Sequence, residues 1–214
     1  MVVGMDNISR MFRDRRMQLF FKLINSVKSS GKVKVLDVGG TEKFWRMFDK
    51  SKLDNIDLTI FNISNNGVKG SDFKFVKGDA RNMKRFKDKS FDVVFSNSLI
   101  EHVGNFDEQK KVAREIRRVG KRYFIQTPNY YFPIEPHFLF PFFHFLPISA
   151  RIWLIRHFSL GFMKRNVKRK EAESEIKSIR LLKERELIEL FPGSKIYKEK
   201  FMGFTKSFVV YGGF

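Results

Sequence analysis

Apolar positions recur along this chain at two different spacings. Met17, Phe20, Phe21, Ile24 and Val27 fall three or four residues apart and predict an amphipathic helix. A basic segment, Arg10 to Arg16, leads into it, and Ser29-Ser30-Gly31 is its expected stop. Short runs of β-formers follow. Val33 to Val38 predicts a strand buried on both faces, and Ile56 to Phe61 a second, ending at Asn62. Phe73 to Val76 predicts a third, ending at Gly78-Asp79-Ala80, and Phe91 to Phe95 a fourth, ending at Ser96-Asn97-Ser98. Tyr123 to Gln126 is the fifth, ending at Thr127-Pro128-Asn129.

Helical patterns alternate with these strands. Thr41 is placed to cap a helix carrying Phe44, Trp45 and Phe48. Asp107 to Val119 is the clearest helix, with Val112, Ile116 and Val119 on one face, acids at its start, Arg117 and Arg118 at its end, and Gly120 as its stop. Such alternation implies a parallel sheet with helices on both faces. The regularity breaks from Tyr130 to Met163, where aromatics crowd and Pro133, Pro136, Pro141 and Pro147 interrupt any long helix. A basic run, Lys164 to Lys170, comes next, then a helix over Arg180 to Phe191 and two closing strands, Lys195–Phe201 and Lys206–Tyr211, paired antiparallel. The expected layout is one domain: a helical lead-in over 1–30, a core over 31–129, a lid or acceptor insertion over 130–180, and a closing helix and strands over 181–214.

Polar residues at successive strand ends carry the candidate chemistry, because ligands of open α/β sheets bind outside those ends. Asp37 precedes Gly39-Gly40-Thr41, a loop that lacks the glycine spacing of a phosphate cradle. A carboxylate there repels a pyrophosphate and suits a cofactor bearing an ammonium or sulfonium group. On an adenosine-bearing cofactor of that kind, Asp37, Gly39, Gly40 and Thr41 would face the amino acid moiety and Asn62 the ribose. Asp79 would accept from the adenine amino group, the Ala80 N–H would donate to a ring nitrogen, and Ser96 and Asn97 complete the series. Pro133-Ile134-Glu135-Pro136-His137 follows the fifth strand, where an acceptor would lie. His137 is the candidate base, and Glu135, Asn129 and His102 are candidate acceptor contacts. A packing role for Glu135 and His137, and a structural role for Glu101 and His102 at a helix start, are the alternatives. No metal site is expected.

These stretches resemble a known family. Val35-Leu36-Asp37-Val38-Gly39-Gly40, Gly78-Asp79-Ala80 and Ser90 to Val103 are similar to class I S-adenosylmethionine-dependent methyltransferases, above all the type 11 domain. The resemblance covers roughly residues 30 to 130. It implies an α/β, Rossmann-like, seven-stranded, mostly parallel sheet with helices on both faces and an antiparallel last strand, here with an aromatic-rich helical insertion after strand 5. It also implies S-adenosyl-L-methionine as cofactor, with contacts at Asp37, Gly39, Asn62, Asp79, Ala80 and Ser96. Two positions depart from the family pattern: Thr41 stands at the second glycine of the loop, and Asn62 replaces the acid expected on the ribose.

Composition changes this picture in one respect. The 214 residues carry a formal net charge of +19 and no cysteine, which excludes disulfides and thiolate metal sites. A signal peptide is not expected in Met1 to Arg16, and no apolar run reaches the roughly 18–20 residues of a spanning helix. A cytoplasmic protein follows, peripheral at the inner membrane surface if the charge and the aromatic lid together meet anionic lipid. The leading expectation is methyl transfer to a small-molecule or lipid-linked acceptor. The alternatives are an RNA-directed methyltransferase, motivated by the charge, and a non-catalytic cofactor-binding protein, motivated by Thr41 and Asn62.

Overall fold

A computed structural model of the chain describes residues 2–64 and 73–214, with side chains described within these ranges from Ser9 onward. Met1 of the expected lead-in lies outside the described residues. The β-forming runs come together as β1 (Val33–Val38), β2 (Ile56–Asn62), β3 (Lys74–Lys77), β4 (Phe91–Asn97) and β5 (Gly120–Pro128), all parallel. A hairpin, β8 (Lys195–Phe201) and β9 (Phe204–Gly212), completes a seven-stranded sheet in the order β3-β2-β1-β4-β5-β9-β8. Only β9 runs against its neighbours, pairing antiparallel with both β5 and β8. The order reverses between β1 and β4, and that reversal opens the crevice in which such sheets hold ligands.

Strand alternation divides the core in two. Val33, Val35, Ile60, Phe95, Phe124 and Val209 face α1 (Val2–Asn25), which buries Met17, Phe20 and Ile24 against them. Phe20 is the hub, with ring centroids 4.9 Å from Phe95, 5.2 Å from Phe124 and 6.0 Å from Trp45. Trp45 ends α2 (Glu42–Trp45), which Thr41 caps by accepting from the Phe44 N–H; α3 (Lys50–Leu53) follows. The opposite face, with Leu36, Val38, Val94, Ile125 and Val210, is covered by Val112, Ile116 and Val119 of α4 (Phe106–Val119) and by Leu187 and Leu190 of α7 (Glu184–Leu190).

Several boundaries differ from the sequence pattern for physical reasons. Gly120 is not a left-handed helix stop but extended backbone (φ −95°, ψ 141°) that begins β5 at once. Glycine is needed there for space, since a Cβ would lie 2.7 Å from both the Arg122 carbonyl and Val94 Cγ2. The last helix starts at Glu184 rather than Arg180, because the Lys183 N–H donates to the Glu186 carboxylate at 2.8 Å and fixes the first turn there. Residues 130–180 form a two-residue hairpin, β6 (Ile134–Glu135) and β7 (Phe140–Pro141), followed by α5 (Ile148–His157) and α6 (Arg169–Lys177). They close over a small core of their own, built on Phe138, Phe143, Ile152, Ile155 and Ile176.

Candidate active site

A cavity of about 210 Å³ opens at the carboxyl ends of β1, β2 and β3. Gly39, Asn62, Asp79 and Ala80 all border it, together with Leu99 and His102. Gly39 holds a left-handed φ of +83°, and a side chain there would strike Leu99. Asn62 donates from Nδ2 to the Gly40 carbonyl at 3.0 Å and so ties β2 to the glycine loop. The Asp79 carboxylate takes the Arg81 guanidinium, which holds its pKa below the ordinary carboxylate value despite partial burial.

Asp37 does not border the cavity directly. It is 1% exposed, beneath Gly40, and its Oδ2 accepts the Trp45 indole N–H at 2.6 Å. A Cβ on Gly40 would fall 1.6 Å from that oxygen, so the loop's second glycine lets backbone lie directly on the carboxylate. Its Oδ1 has no partner among the described residues. Burial pushes the Asp37 pKa up to about 7, against the opposing hydrogen bond from Trp45.

Ser96 and Asn97 do other work than facing this cavity. Ser96 Oγ donates to the Val38 carbonyl at 2.9 Å and pins β4 to β1. Asn97 accepts from Arg16 of α1, which also grips Glu199 of β8 through Nε–Oε1 at 3.0 Å and Nη2–Oε2 at 2.9 Å. Arg16 is 7% and Glu199 2% exposed, so this is a buried ion pair joining the lead-in helix to the far side of the sheet. The sequence pattern gave no hint of it, because both residues sit in runs of exposed charge.

Beyond Leu99 lies a second group of side chains. Ser98 takes a left-handed φ of 53°, and the turn it begins puts Glu101 fully inside and His102 at the rim. Glu101 Oε2 accepts from the Thr127 hydroxyl at 2.9 Å, while Oε1 has no partner among the described residues. Burial raises the Glu101 pKa to about 7 against its hydrogen bonds and the charge of His137. The β6–β7 hairpin carries His137 across to this turn, with His137 Nε2 3.1 Å from His102 Nε2. Burial and the charge of His137 push the His102 pKa down to about 4. Burial also opposes charge on His137, but the hydrogen bond and charge of Glu135, with help from Glu101, outweigh it and hold its pKa above the ordinary histidine value.

Glu135 and Asn129 sit differently from acceptor contacts. Glu135 is 2% exposed and spends its carboxylate on His137 Nδ1 and on the backbone N–H groups of His137 and Phe138, each at 2.7 Å. It therefore orients His137 from behind. Asn129 donates to the Thr205 carbonyl at 2.7 Å and accepts from the Tyr131 N–H at 3.1 Å, which fixes the start of the 130–180 segment against the last hairpin. Glu101, named in the sequence only for a structural role beside His102 at a helix start, is the buried member of the group that sequence reasoning undervalued.

Residues 36–123 match the family model of a methyltransferase domain. An uncharacterized protein of Mycobacterium tuberculosis is 37% identical over 70 residues, which are 33% of this chain and 23% of that relative. The match thus spans under a quarter of the relative's length. Among solved structures, a Rhodobacter sphaeroides protein named for a proposed Zn-dependent alcohol dehydrogenase activity superposes with TM-score 0.58 at 12% identity, covering 89% of this chain and 87% of its own. An O-methyltransferase family protein from Burkholderia thailandensis gives 0.52 at 10% identity, covering 91% and 55%. PigF, solved with SAH (S-adenosylhomocysteine), gives 0.50 at 13% identity, covering 93% and 63%. At these identities the superpositions establish the fold.

Proposed function

We propose that this chain, whose residues 36–123 match a methyltransferase domain, is a class I S-adenosylmethionine-dependent methyltransferase that moves a methyl group from that cofactor to a small-molecule or lipid-linked acceptor. The carrying observation is the cavity itself: Gly39, Asn62, Asp79 and Ala80, from three successive strand ends, border one space that His102 also lines. Asp79 and Asn62 are the polar partners for an adenosine, and the Gly39-Gly40 backbone above Asp37 suits an amino acid carrying positive charge. When bound, the cofactor supplies an electrophilic methyl group on a sulfonium, so the chain's task is to position an acceptor and exclude water. His102 and His137 meet beside the cavity, and the 130–180 insertion that brings His137 there serves as the acceptor lid.

A lipid-linked acceptor is supported by the exposed side of that lid. Phe142, Phe145, Trp153, Phe158 and Phe162 are exposed large hydrophobics, followed in sequence by the basic stretch Lys164 to Lys170. Aromatic and basic groups together suit an anionic lipid surface. Among the described residues, no helix is long and apolar enough to cross a membrane.

Calorimetric titration with S-adenosylhomocysteine tests the cofactor assignment. Binding is expected in the unaltered chain and is expected to weaken sharply in Asp79→Ala. Absence of binding overturns the reading, and binding without methyl transfer to any acceptor leaves a cofactor-binding protein. Co-sedimentation with anionic vesicles at low salt is expected; if the chain stays in solution, the acceptor is a free small molecule.

A further inference from the structure

We propose that Glu101, His102 and His137 bind a divalent metal ion beside the cofactor cavity, with Glu135 as the positioning residue behind His137. One ligand atom from each of the three lies within 4.8 Å of the others. The two Nε2 atoms face each other at 3.1 Å, and two ring nitrogens bound to one tetrahedral ion at 2.0–2.1 Å would stand about 3.4 Å apart. The two imidazoles therefore already stand near ligand spacing, and the Glu101 carboxylate moves inward to complete the set.

The buried carboxylate is an independent observation. Glu101 is 0% exposed, with one oxygen fixed by Thr127 and the other bare among the described residues. A buried acceptor without a partner is costly, and a cation is the partner a carboxylate takes best. Behind His137, Glu135 Oε1 engages Nδ1 at 2.7 Å, so in the neutral imidazole the proton sits on Nδ1 and the Nε2 lone pair faces His102. Carboxylate–histidine pairs of this kind orient metal-binding imidazoles, and Glu135 is in turn locked by two backbone N–H groups. In a chain of net charge +19, two carboxylates here make the immediate surroundings favourable to a cation.

Two imidazoles and a carboxylate suit Zn²⁺, Mn²⁺, Fe²⁺ or Co²⁺ better than Ca²⁺. Three protein ligands also leave a position open for water or an acceptor oxygen. Since His102 borders the cofactor cavity, an acceptor hydroxyl bound there would lose its proton more readily. That extension rests on the methyl-transfer reading; the metal site does not. It revises two expectations from the sequence, namely that no metal binds and that His137 is the base.

The test uses the full chain, stripped with chelator and titrated with Zn²⁺ and Mn²⁺ by calorimetry and with Co²⁺ by visible absorption. One ion per chain is expected, with Co²⁺ giving the d–d bands of nitrogen and oxygen ligation. The site should vanish in His102→Ala and in His137→Ala, and weaken about 10–100-fold in Glu135→Gln. Melting temperature checks that every variant keeps its packing. No binding by any of the three ions, or stoichiometric binding that survives both histidine replacements, overturns the proposal and leaves the pair as a hydrogen bond. S-adenosylhomocysteine is titrated alongside without metal. Metal binding without it refutes the methyltransferase reading alone, and the reverse result refutes the metal site alone.

Discussion

Asp37 should couple one proton to two opposite slopes. Its carboxyl is 1% exposed and rises from 3.8 to about 7 on folding, because burial outweighs the single hydrogen bond from Trp45. Between those values the native chain keeps a proton that the unfolded chain has lost. Stability from this group is therefore complete at low pH and falls as pH rises through that window. Roughly three pH units at 1.36 kcal/mol each make the loss on the order of 4 kcal/mol. Asp37→Asn removes the titration while keeping an acceptor for the indole N–H. Urea unfolding of both proteins from about pH 4 to about pH 8 isolates the group, since all other titrations cancel in the difference. The unaltered chain should lose stability relative to Asp37→Asn as pH rises. Negative charge beneath the Gly39-Gly40 backbone attracts the cofactor's ammonium, so affinity for S-adenosylhomocysteine should rise instead over the same window. Asp37→Asn should lack this step in both assays, and the pH dependence of stability that it keeps belongs to other groups, Glu101 among them. A constant stability difference between the two proteins across this range refutes the reasoning.

Two further outcomes follow from packing. Glu199→Ala leaves the Arg16 guanidinium buried without its bidentate partner and should cost about 3–5 kcal/mol in urea unfolding, whereas Arg16→Met with Glu199→Leu should recover most of it. Equal stability of the single and double variants would mean that water reaches the pair. Gly40→Ala places a methyl 1.6 Å from an oxygen already held by Trp45. It should lower both the melting temperature and the affinity for S-adenosylhomocysteine, and a variant with the unaltered chain's melting curve would show that Asp37 has room to turn.

The sheet was legible because its code is local. Runs such as Val33 to Val38 and Phe91 to Phe95 alternate between two buried faces, and a six-residue window suffices to see it. The strand-end residues Gly39, Asn62, Asp79 and Ala80 were legible for the same reason: parallel topology converts sequence order into spatial order. What escaped the pattern depends on distant partners. Arg16 and Glu199 stand 183 residues apart, and each looks like ordinary surface charge until α1 and β8 are packed. Gly120 read as a helix stop because glycine serves both left-handed turns and close approaches, and only Arg122 and Val94 decide between them. His102 and His137 were each visible as candidates. Their meeting at 3.1 Å depends on the left-handed turn at Ser98 and on a two-residue hairpin, neither of which has a sequence signature strong enough to place a side chain.

Asp37 and Glu101 share an arrangement that connects the fold to the proposed chemistry. They flank the β1–β4 reversal, Asp37 within β1 and Glu101 just past β4, each buried with one oxygen held by a neutral donor and the other bare. Among the described residues neither forms an ion pair with a lysine or arginine, although the chain carries 42 of them, and Glu101 feels only the nearby charge of His137. Arg16 and Glu199 show that this chain can bury a carboxylate with its own guanidinium when the purpose is structural. Leaving two carboxylates uncompensated lowers stability, and groups preorganised for a ligand carry that cost. On the proposed reading both answer to cations brought from outside: the cofactor's ammonium above the Gly39-Gly40 backbone for Asp37, and a metal ion for Glu101. Each ligand should raise the melting temperature alone. Since Gly39 and His102 border one cavity, the shift with both present should depart from the sum of the two, and that departure measures their coupling.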